Sequence, residues 1–340
     1  MKRKVGRKSP AQPGPARTVP APESKRPSAA NRHRAAKRHR VGWAAAAIAG
    51  IALLCWGALS RQTASGNTAT GEAAFEHVRQ MVALGPRPSG STTHETMQRY
   101  IVEQAEAAGW TVEQDRFTAA TPNGAVPMNN IIARRPGSTP NARVIILAAH
   151  YDTKLFREFR FLGANDGASG AGLLLALAPA LARRDYQHAV WLVWLDGEEA
   201  FREWTDTDSV YGSRHMAAKL QSEGAAANIE AFVLVDMIGD RDLGIRRESN
   251  STPWLTDLVW GVASRLGHQR HFLNSTHTIS DDHLPFLAAG IPSVDLIDFD
   301  YGGIGSYWHT EADTLDKVSA ESLQVVGEVL LESVAELDRR

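Results

Sequence analysis

The chain has 340 residues, of which 43% are hydrophobic and 22% are charged, so it is long enough to bury one large core or two smaller ones. Its single cysteine, Cys55, excludes an intramolecular disulfide framework and removes cysteine from the candidate nucleophiles and zinc ligands. The formal net charge of −1 hides an asymmetry, because residues 1–40 hold 13 Lys and Arg against one acid, while the remainder holds 24 basic and 37 acidic residues.

The basic N-terminal segment, residues 1–40, is rich in Pro and Ala and contains almost no large apolar side chains. A segment of this composition cannot build a core, so we predict a disordered arm. A basic arm could also bind nucleic acid. The apolar segment that follows it explains the charge better, and we predict no nucleic-acid partner.

Residues 41–59 contain no charged side chain and are long enough to cross a bilayer as one transmembrane helix. Since the Lys and Arg cluster precedes this segment, the positive-inside rule puts residues 1–40 in the cytoplasm and the acidic body outside it. We therefore predict a single-pass type II membrane protein whose body faces the bacterial periplasm. A cleaved signal peptide is the alternative, although the basic region is long for one. Residues 60–72, rich in Ser, Thr and Gly, are predicted to form a linker.

From residue 73 to residue 340, apolar runs of strand length alternate with longer amphipathic segments, which predicts a single α/β domain. A helix is predicted over residues 90–108, where Met97 and Ile101 fall at helical spacing and Ser91 can cap the first turn. Four near-continuous apolar runs are typical of strands that helices cover on both faces: Val144–Ala149, Ala189–Leu195, Ala231–Val235 and Val294–Ile297.

A polar residue follows each of these four runs: His150, Asp196, Asp236 and Asp298. Ligands of open α/β sheets collect at the carboxyl ends of the strands. We therefore expect three of the four side chains to converge on one crevice.

The segment Asp196-Gly-Glu198-Glu199 is the most informative motif. Its three carboxylates repel one another unless a cation or solvent separates them. A surface turn is the alternative, but adjacent Glu residues at the end of a buried strand are better explained if one binds a metal and its neighbour moves protons.

Three further segments supply candidate metal ligands, and each has a plain structural alternative. His150 with Asp152 could lie in a surface loop, although at this spacing the carboxylate could orient the imidazole. Asp166 precedes a run of small residues that predicts a buried helix, so it could be the N-cap of that helix. His309 alone would more often be an ordinary structural histidine. As a set with the paired Glu residues, they favour a metal site.

Together these segments make residues 75–338 similar to the zinc peptidase family M28. The family's five metal-ligand positions are occupied here by His150, Asp166, Glu199, Asp236 and His309, and its general-base position by Glu198. More narrowly, the chain resembles the glutaminyl cyclases of that family. The stretches that carry this narrower resemblance are residues 196–217, 280–292 and 307–310.

The resemblance implies a zinc aminopeptidase-like fold, with a central mixed, mostly parallel sheet covered by helices on both faces. It also implies an enzyme that converts the N-terminal Gln of peptides or proteins to pyroglutamate and releases ammonia. One zinc ion would be held by Asp166, Glu199 and His309. Glu198 would take a proton from the attacking amine and deliver one to the departing ammonia.

The resemblance further assigns the remaining side chains of the pocket. Asp281 would hold the leaving nitrogen, with its neighbour Asp282 as the alternative, while Trp204 and Trp308 would wall the pocket. His150 and Asp236 leave room for a second zinc ion.

Two departures from the cyclase pattern keep other functions open. Residues 163–170 are closer to the common aminopeptidase form, and Asp295 stands where animal cyclases usually have a histidine. A dinuclear zinc aminopeptidase is therefore the main alternative. A catalytically silent ectodomain is a third, which is disfavoured because no ligand position has been lost.

Overall fold

The computed structural model describes residues 70–340. The predicted basic arm over residues 1–40, the membrane segment over residues 41–59 and most of the linker lie outside the described residues. Among residues 70–340, no helix is both long and apolar enough to span a membrane.

Helix α1 covers residues 70–84 of the described chain. The other main elements are α2 Thr92–Ala107, β1 Thr111–Thr121, β2 Gly124–Arg135, β3 Val144–His150, α3 Ala168–Ala182, β4 Ala189–Leu195, α4 Tyr211–Ser222, β5 Ile229–Asp236, β6 Ile245–Glu248, α5 Pro253–Arg265, β7 Phe272–His277, α6 His283–Ala288, β8 Ser293–Ile297 and α7 Ala320–Leu337. Short 3-10 turns occur at Ala226–Asn228 and Leu315–Lys317.

A six-stranded sheet with the order β1-β2-β4-β3-β5-β8 forms the centre of the domain. The pairs β4/β3, β3/β5 and β5/β8 are parallel, whereas β1/β2 and β2/β4 are antiparallel. The short strands β6 and β7 form a separate parallel pair. The predicted single α/β domain with a mixed sheet is thereby confirmed.

Strands β3 and β5 are buried along their whole length because helices cover both faces of the sheet. Alternate residues of β3 enter opposite cores, with Ile145 and Leu147 on the face of α3, α5 and α7. Val144 and Ile146 enter the core formed with α4 and α6. Two-sided burial explains why these strands appear in the sequence as uninterrupted apolar runs.

The predicted helix after Asp166 is α3, but Asp166 is not its cap. The N-cap is Gly167, and no side chain accepts a hydrogen bond there. Small residues let α3 approach the sheet closely, since a Cβ on Gly170 would lie 2.4 Å from the carbonyl oxygen of Val235. Without a capping role, the Asp166 carboxylate needs another explanation.

Two local features differ from the sequence-based expectations. Residues 70–72, predicted as the end of the linker, are already helical, and the amide of Gly71 donates to Oε1 of Gln324 on α7 at 2.7 Å. The hairpin of β1 and β2 was not predicted from the residues, because its outer strand is mostly polar and exposed. Its two-residue loop ends at Gly124, whose φ of +103° suits glycine.

Candidate metal centre

The carboxyl ends of three parallel strands bring the candidate ligands together. His150 ends β3, Asp236 ends β5, and Glu199 lies in the loop after β4. Asp166 precedes α3, and His309 lies in the loop between β8 and α7. Because this is the edge at which open α/β sheets bind ligands, the five side chains can meet in one place.

The side chains of Asp166, Glu199 and His309 form one compact trio, whose ligand atoms all lie within 4.8 Å of one another. His309 Nε2 lies 3.1 Å from Glu199 Oε1 and 3.4 Å from Asp166 Oδ2. The structure thus brings together the three residues that the resemblance assigns to one zinc ion.

A second trio consists of His150, Asp166 and Asp236. His150 Nε2 lies 3.2 Å from Asp166 Oδ1 and 3.2 Å from Asp236 Oδ1. Asp166 therefore belongs to both trios and directs one oxygen into each. A carboxylate placed in this way could bridge two cations.

Two buried oxygens show that the first trio fits a cation. Asp166 Oδ2 and Glu199 Oε2 have no hydrogen-bond partner within residues 70–340, and Lys154 Nζ approaches Glu199 Oε2 only to 3.7 Å. Unpaired buried carboxylate oxygens are costly. A divalent cation would satisfy both oxygens, and two carboxylates with one imidazole are a donor set typical of catalytic zinc.

Buried carboxylates fix the backbone that carries these ligands. Asp313 accepts hydrogen bonds from the amides of Asn165 and Asp166 at 2.8 and 3.1 Å. Asp152 accepts hydrogen bonds from the amides of Glu198 and Glu199 at 3.2 and 3.3 Å. The same carboxylate lies 3.4 Å from His150 Nδ1, as the sequence predicted. Supports of this kind hold metal ligands in a set orientation.

Arg87 is a fully buried cation beneath the acidic cluster. Its guanidinium donates to the carbonyl oxygens of Tyr151, Leu162 and Gly163. Burial lowers the pKa of Arg87 to about 10, against the opposing pull of nearby carboxylates, so it stays charged at neutral pH. The role of Arg87 was not predicted from the sequence, in which it stands between two prolines.

Two residues beside the site have strained backbones. Met237 follows Asp236 with φ of +45°, and His309 has φ of +54°, which is the left-handed region. Non-glycine residues in this region cost free energy and persist where the surrounding structure imposes them, often at functional sites. The contacts of its loop therefore hold the His309 backbone in a conformation that histidine does not favour by itself.

The Glu198 carboxylate lies next to the trio but belongs to neither cluster. Its Oε2 is 3.8 Å from His150 Nδ1, and the residue is buried. Burial raises the pKa of Glu198 well above its usual range; His150 opposes this shift, and the carboxylates of Glu199 and Asp281 add to it. A carboxyl of raised pKa is suited to exchanging protons near neutrality.

The neighbours Asp281 and Asp282 face different surroundings. Asp281 lines the cleft beside Glu198, and its Oδ2 has no hydrogen-bond partner within residues 70–340. Asp282 accepts a hydrogen bond from the Ser213 hydroxyl at Oδ1, and its Oδ2 likewise has no hydrogen-bond partner within residues 70–340, but Asp282 is no part of the cleft lining. Burial raises the pKa of both carboxyls, that of Asp282 to about 7. The geometry favours Asp281 as the group that meets a ligand.

The cleft over this centre has a volume of about 470 Å³. Asp166, Glu198 and His309 line its floor, and Trp204, Trp308 and Phe299 are among its aromatic walls. The Trp308 ring stacks on His309 at a centroid distance of 4.0 Å. The predicted wall residues Trp204 and Trp308 thus border the same cleft as the candidate ligands.

Of the four polar residues that follow the apolar strands, two rather than three enter the metal clusters. His150 and Asp236 do so, whereas Asp196 accepts hydrogen bonds from Ser89 Oγ and the Asn129 amide. Asp298 accepts from the Gly244 amide. Asp196 and Asp298 therefore tie loops and strands together.

Asp295 is fully buried on β8, and both of its carboxyl oxygens lack hydrogen-bond partners within residues 70–340. His283 Nδ1 lies 3.7 Å from its Oδ2. Burial raises the pKa of Asp295 well above its usual range, and the charge of Asp281 adds to the shift. A buried carboxyl of raised pKa therefore stands where animal cyclases usually have a histidine.

Comparisons with known proteins agree with this geometry. The family model described as peptidase family M28 matches residues 130–334. The chain is 34% identical to a glutaminyl-peptide cyclotransferase-like protein of Mus musculus, over 74% of this chain and 72% of the mouse protein.

Solved structures of two kinds of enzyme are also similar to this chain. A glutaminyl cyclase of an Acidobacteriales bacterium is similar with a TM-score of 0.75 and 42% identity, over 80% of this chain and 96% of that one. A leucine aminopeptidase precursor from Bacteroides thetaiotaomicron VPI-5482 is similar with a TM-score of 0.70 and 27% identity, over 78% and 96% of the two chains.

Proposed function

The chain belongs to peptidase family M28, and we propose that it is a glutaminyl-peptide cyclotransferase, an enzyme that closes the N-terminal Gln of a peptide into pyroglutamate and releases ammonia. The observation that supports this most is that Glu198 and Asp281 line one cleft together with Asp166 and His309, two members of the trio that Glu199 completes. One cleft thus offers a cation site and two further carboxyls.

We propose that Asp166, Glu199 and His309 hold one zinc ion. Asp166 Oδ2 and Glu199 Oε2, which accept no hydrogen bond within residues 70–340, support this assignment, as does the His309 imidazole that faces both carboxylates. When bound, the ion supplies a Lewis acid that polarises the γ-carbonyl of the glutamine.

The protein side chains then manage the protons. The α-amine nitrogen of the substrate attacks the γ-carbonyl carbon, which forms the ring C–N bond and later breaks the bond to the amide nitrogen. Glu198 takes the proton that the attacking amine loses and delivers it to the departing nitrogen, so that neutral ammonia leaves. A carboxyl with a raised pKa can both accept and return that proton.

Asp281 and the tryptophans position the substrate. The free Oδ2 of Asp281 is available to accept a hydrogen bond from the leaving amide nitrogen. Trp204 and Trp308 wall the cleft and displace water from it. The nucleophile belongs to the substrate, so excluding water favours cyclisation over hydrolysis.

The second trio of His150, Asp166 and Asp236 supports one alternative, a dinuclear aminopeptidase. That enzyme would need a second ion and a water molecule as the nucleophile. We favour the mononuclear cyclotransferase because 42% identity to a glutaminyl cyclase exceeds the 27% to the aminopeptidase precursor.

A peptide assay separates the two functions. The purified full-length protein is incubated with two peptides that differ only in an N-terminal Gln or Leu, and the products are identified by mass spectrometry. We expect the Gln peptide to lose one ammonia and the Leu peptide to stay intact. Release of free leucine, with the Gln peptide left uncyclised, would favour the aminopeptidase and contradict the proposal.

A further inference from the structure

A second groove adjoins the cleft over the metal centre. It has a volume of about 540 Å³ and shares Trp204, Ser280 and Asp281 with the cleft. A larger groove of about 680 Å³ between α2 and the β1/β2 hairpin shares no residue with the cleft. Only the first of these two is continuous with the site at which the glutamine would react.

Helices α4 and α6 build the walls of the adjoining groove. Helix α4 contributes Arg214, Ala218 and Gln221, which fall at the i, i+4 and i+7 spacing of one helical face. Helix α6 contributes Leu284 and Ala288. Small side chains leave the space open, and most of the lining is apolar.

The one guanidinium in this groove is already engaged. Arg214 donates to the carbonyl oxygens of Thr207 and Ser209, and it lies over the Tyr211 ring at 4.9 Å from the ring centroid. These contacts hold the Arg214 guanidinium in place and leave few of its N–H groups to bind an acidic side chain of a ligand. Because Asp206 and Asp281 also line the groove, it is suited to a peptide segment without acidic side chains.

The length of the groove matches a short peptide. From Arg214 to Gln221, α4 rises by about 10 Å at about 1.5 Å per residue. An extended chain advances by about 3.3 Å per residue, so about three residues fit alongside. A peptide whose first residue occupies the cleft must continue out of it, and the shared wall of Trp204, Ser280 and Asp281 leads into this groove.

We propose that the groove between α4 and α6 binds about three residues that follow the N-terminal glutamine and that it favours small or apolar side chains there. The proposal rests on the proposed function, because it assigns the glutamine to the neighbouring cleft. The expected substrates are peptides in which an uncharged, apolar segment follows the N-terminal glutamine.

The test compares short and long substrates in the full-length protein. The kcat/KM is measured for a Gln-Ala amide, for a pentapeptide with Gln followed by four apolar residues, and for a pentapeptide with Gln followed by four Glu residues. The variants Ala218→Trp and Ala288→Trp each fill the groove from an exposed position. Ala107→Trp, at the exposed end of α2 and outside both cavities, is the matched control.

We expect the wild-type protein to prefer the apolar pentapeptide over the other two substrates. Both groove variants should lower kcat/KM for that pentapeptide by about 30-fold, the size of one lost hot-spot contact, and change the amide less than twofold. The Ala107→Trp control should change neither substrate.

Two outcomes would overturn the proposal. Equal losses for the amide and the pentapeptide would mean that the groove makes no contact specific to the longer substrate. A wild-type protein indifferent to substrate length, with variants that behave like the control, would mean that the groove binds no substrate. In both cases Gln peptides are still cyclised, so the groove proposal fails while the proposed function stands. Absence of cyclisation in the wild-type protein would overturn both.

Discussion

At the residue scale, Glu198 and Glu199 are adjacent glutamates to which their different surroundings give different roles. Glu199 lies 3.1 Å from His309, in the trio of candidate ligands, while Glu198 is buried beside other carboxylates that raise its pKa. The paired acids could be recognised in the sequence, and so could the candidate ligands. Arg87 and Asp313 could not, because they act on backbone groups through contacts that no local pattern records.

Replacing Glu198 tests this separation of roles. Glu198→Gln keeps the shape and removes the proton carrier, so kcat should fall by about 10²–10⁴-fold. Bound zinc should stay at the wild-type level, as measured by elemental analysis, because no ligand is lost. Glu203→Gln in the same loop is the control, since Glu203 is exposed and should tolerate the change. A Glu198→Gln variant that keeps most of its activity would contradict the assigned base.

The pH dependence of kcat follows from the direction of the Glu198 shift. Because burial raises its pKa, the carboxylate takes up its proton at a higher pH than an ordinary glutamate, whose pKa is about 4.5. The protonated form cannot accept a proton, so kcat should fall as the pH decreases through that raised pKa. A pH profile of kcat measures the midpoint, and the acid limb should disappear in Glu198→Gln. A midpoint at or below the ordinary glutamate value would contradict the expectation.

At the element scale, the strands that helices cover on both faces could be predicted to within two residues at either end. Most of their side chains are apolar on both faces, so the apolar runs inside β3 and β5 are easily recognised in the sequence. The β1/β2 hairpin was missed because its outer strand is exposed and mostly polar. The bounds of α2 followed from its buried stripe and from the Ser91 cap, which accepts a hydrogen bond from His94.

The fit of α3 against the sheet gives a prediction of stability. Gly170→Ala would place a methyl group 2.4 Å from the Val235 carbonyl oxygen, a backbone atom that cannot rotate away. We expect it to lower the free energy of unfolding by about 1–3 kcal/mol, the usual cost of overpacking. Because Asp166 precedes this helix, zinc affinity should fall as well. Chemical denaturation measures the first effect and metal titration the second.

A matched glycine on α5 provides the control. A Cβ on Gly261 would meet only the flexible end of the Arg265 side chain at 3.5 Å. Gly261→Ala should therefore raise the free energy of unfolding by about 0.5–1 kcal/mol, because alanine is the better helix former. If Gly170→Ala stabilised the protein as much as Gly261→Ala, the close packing of α3 would be wrong.

At the scale of the whole molecule, the acidic body and the basic N-terminal segment suit opposite sides of a membrane. We propose that residues 41–59 anchor the protein in the bacterial inner membrane and that the catalytic domain faces the periplasm. The single cysteine, Cys55, lies in that segment, so the domain needs no disulfide to be stable in an oxidising compartment.

Cell fractionation tests the proposed anchor. The full-length protein should remain with the membranes after a high-salt or carbonate wash, whereas a variant that lacks residues 1–60 should be soluble. The domain of the anchored protein should be digested by protease added to spheroplasts. Recovery of a soluble protein whose N-terminus begins near residue 60 would instead indicate a cleaved signal peptide.

The central claim is that Asp166, Glu199 and His309 hold one zinc ion beside a separate proton carrier. Anomalous scattering from a zinc-loaded crystal, recorded on both sides of the zinc absorption edge, tests it most directly. We expect one full-occupancy peak that is bounded by these three side chains, with Glu198 outside the coordination sphere. A peak of equal height between His150 and Asp236, or the absence of a peak at His309, would contradict it.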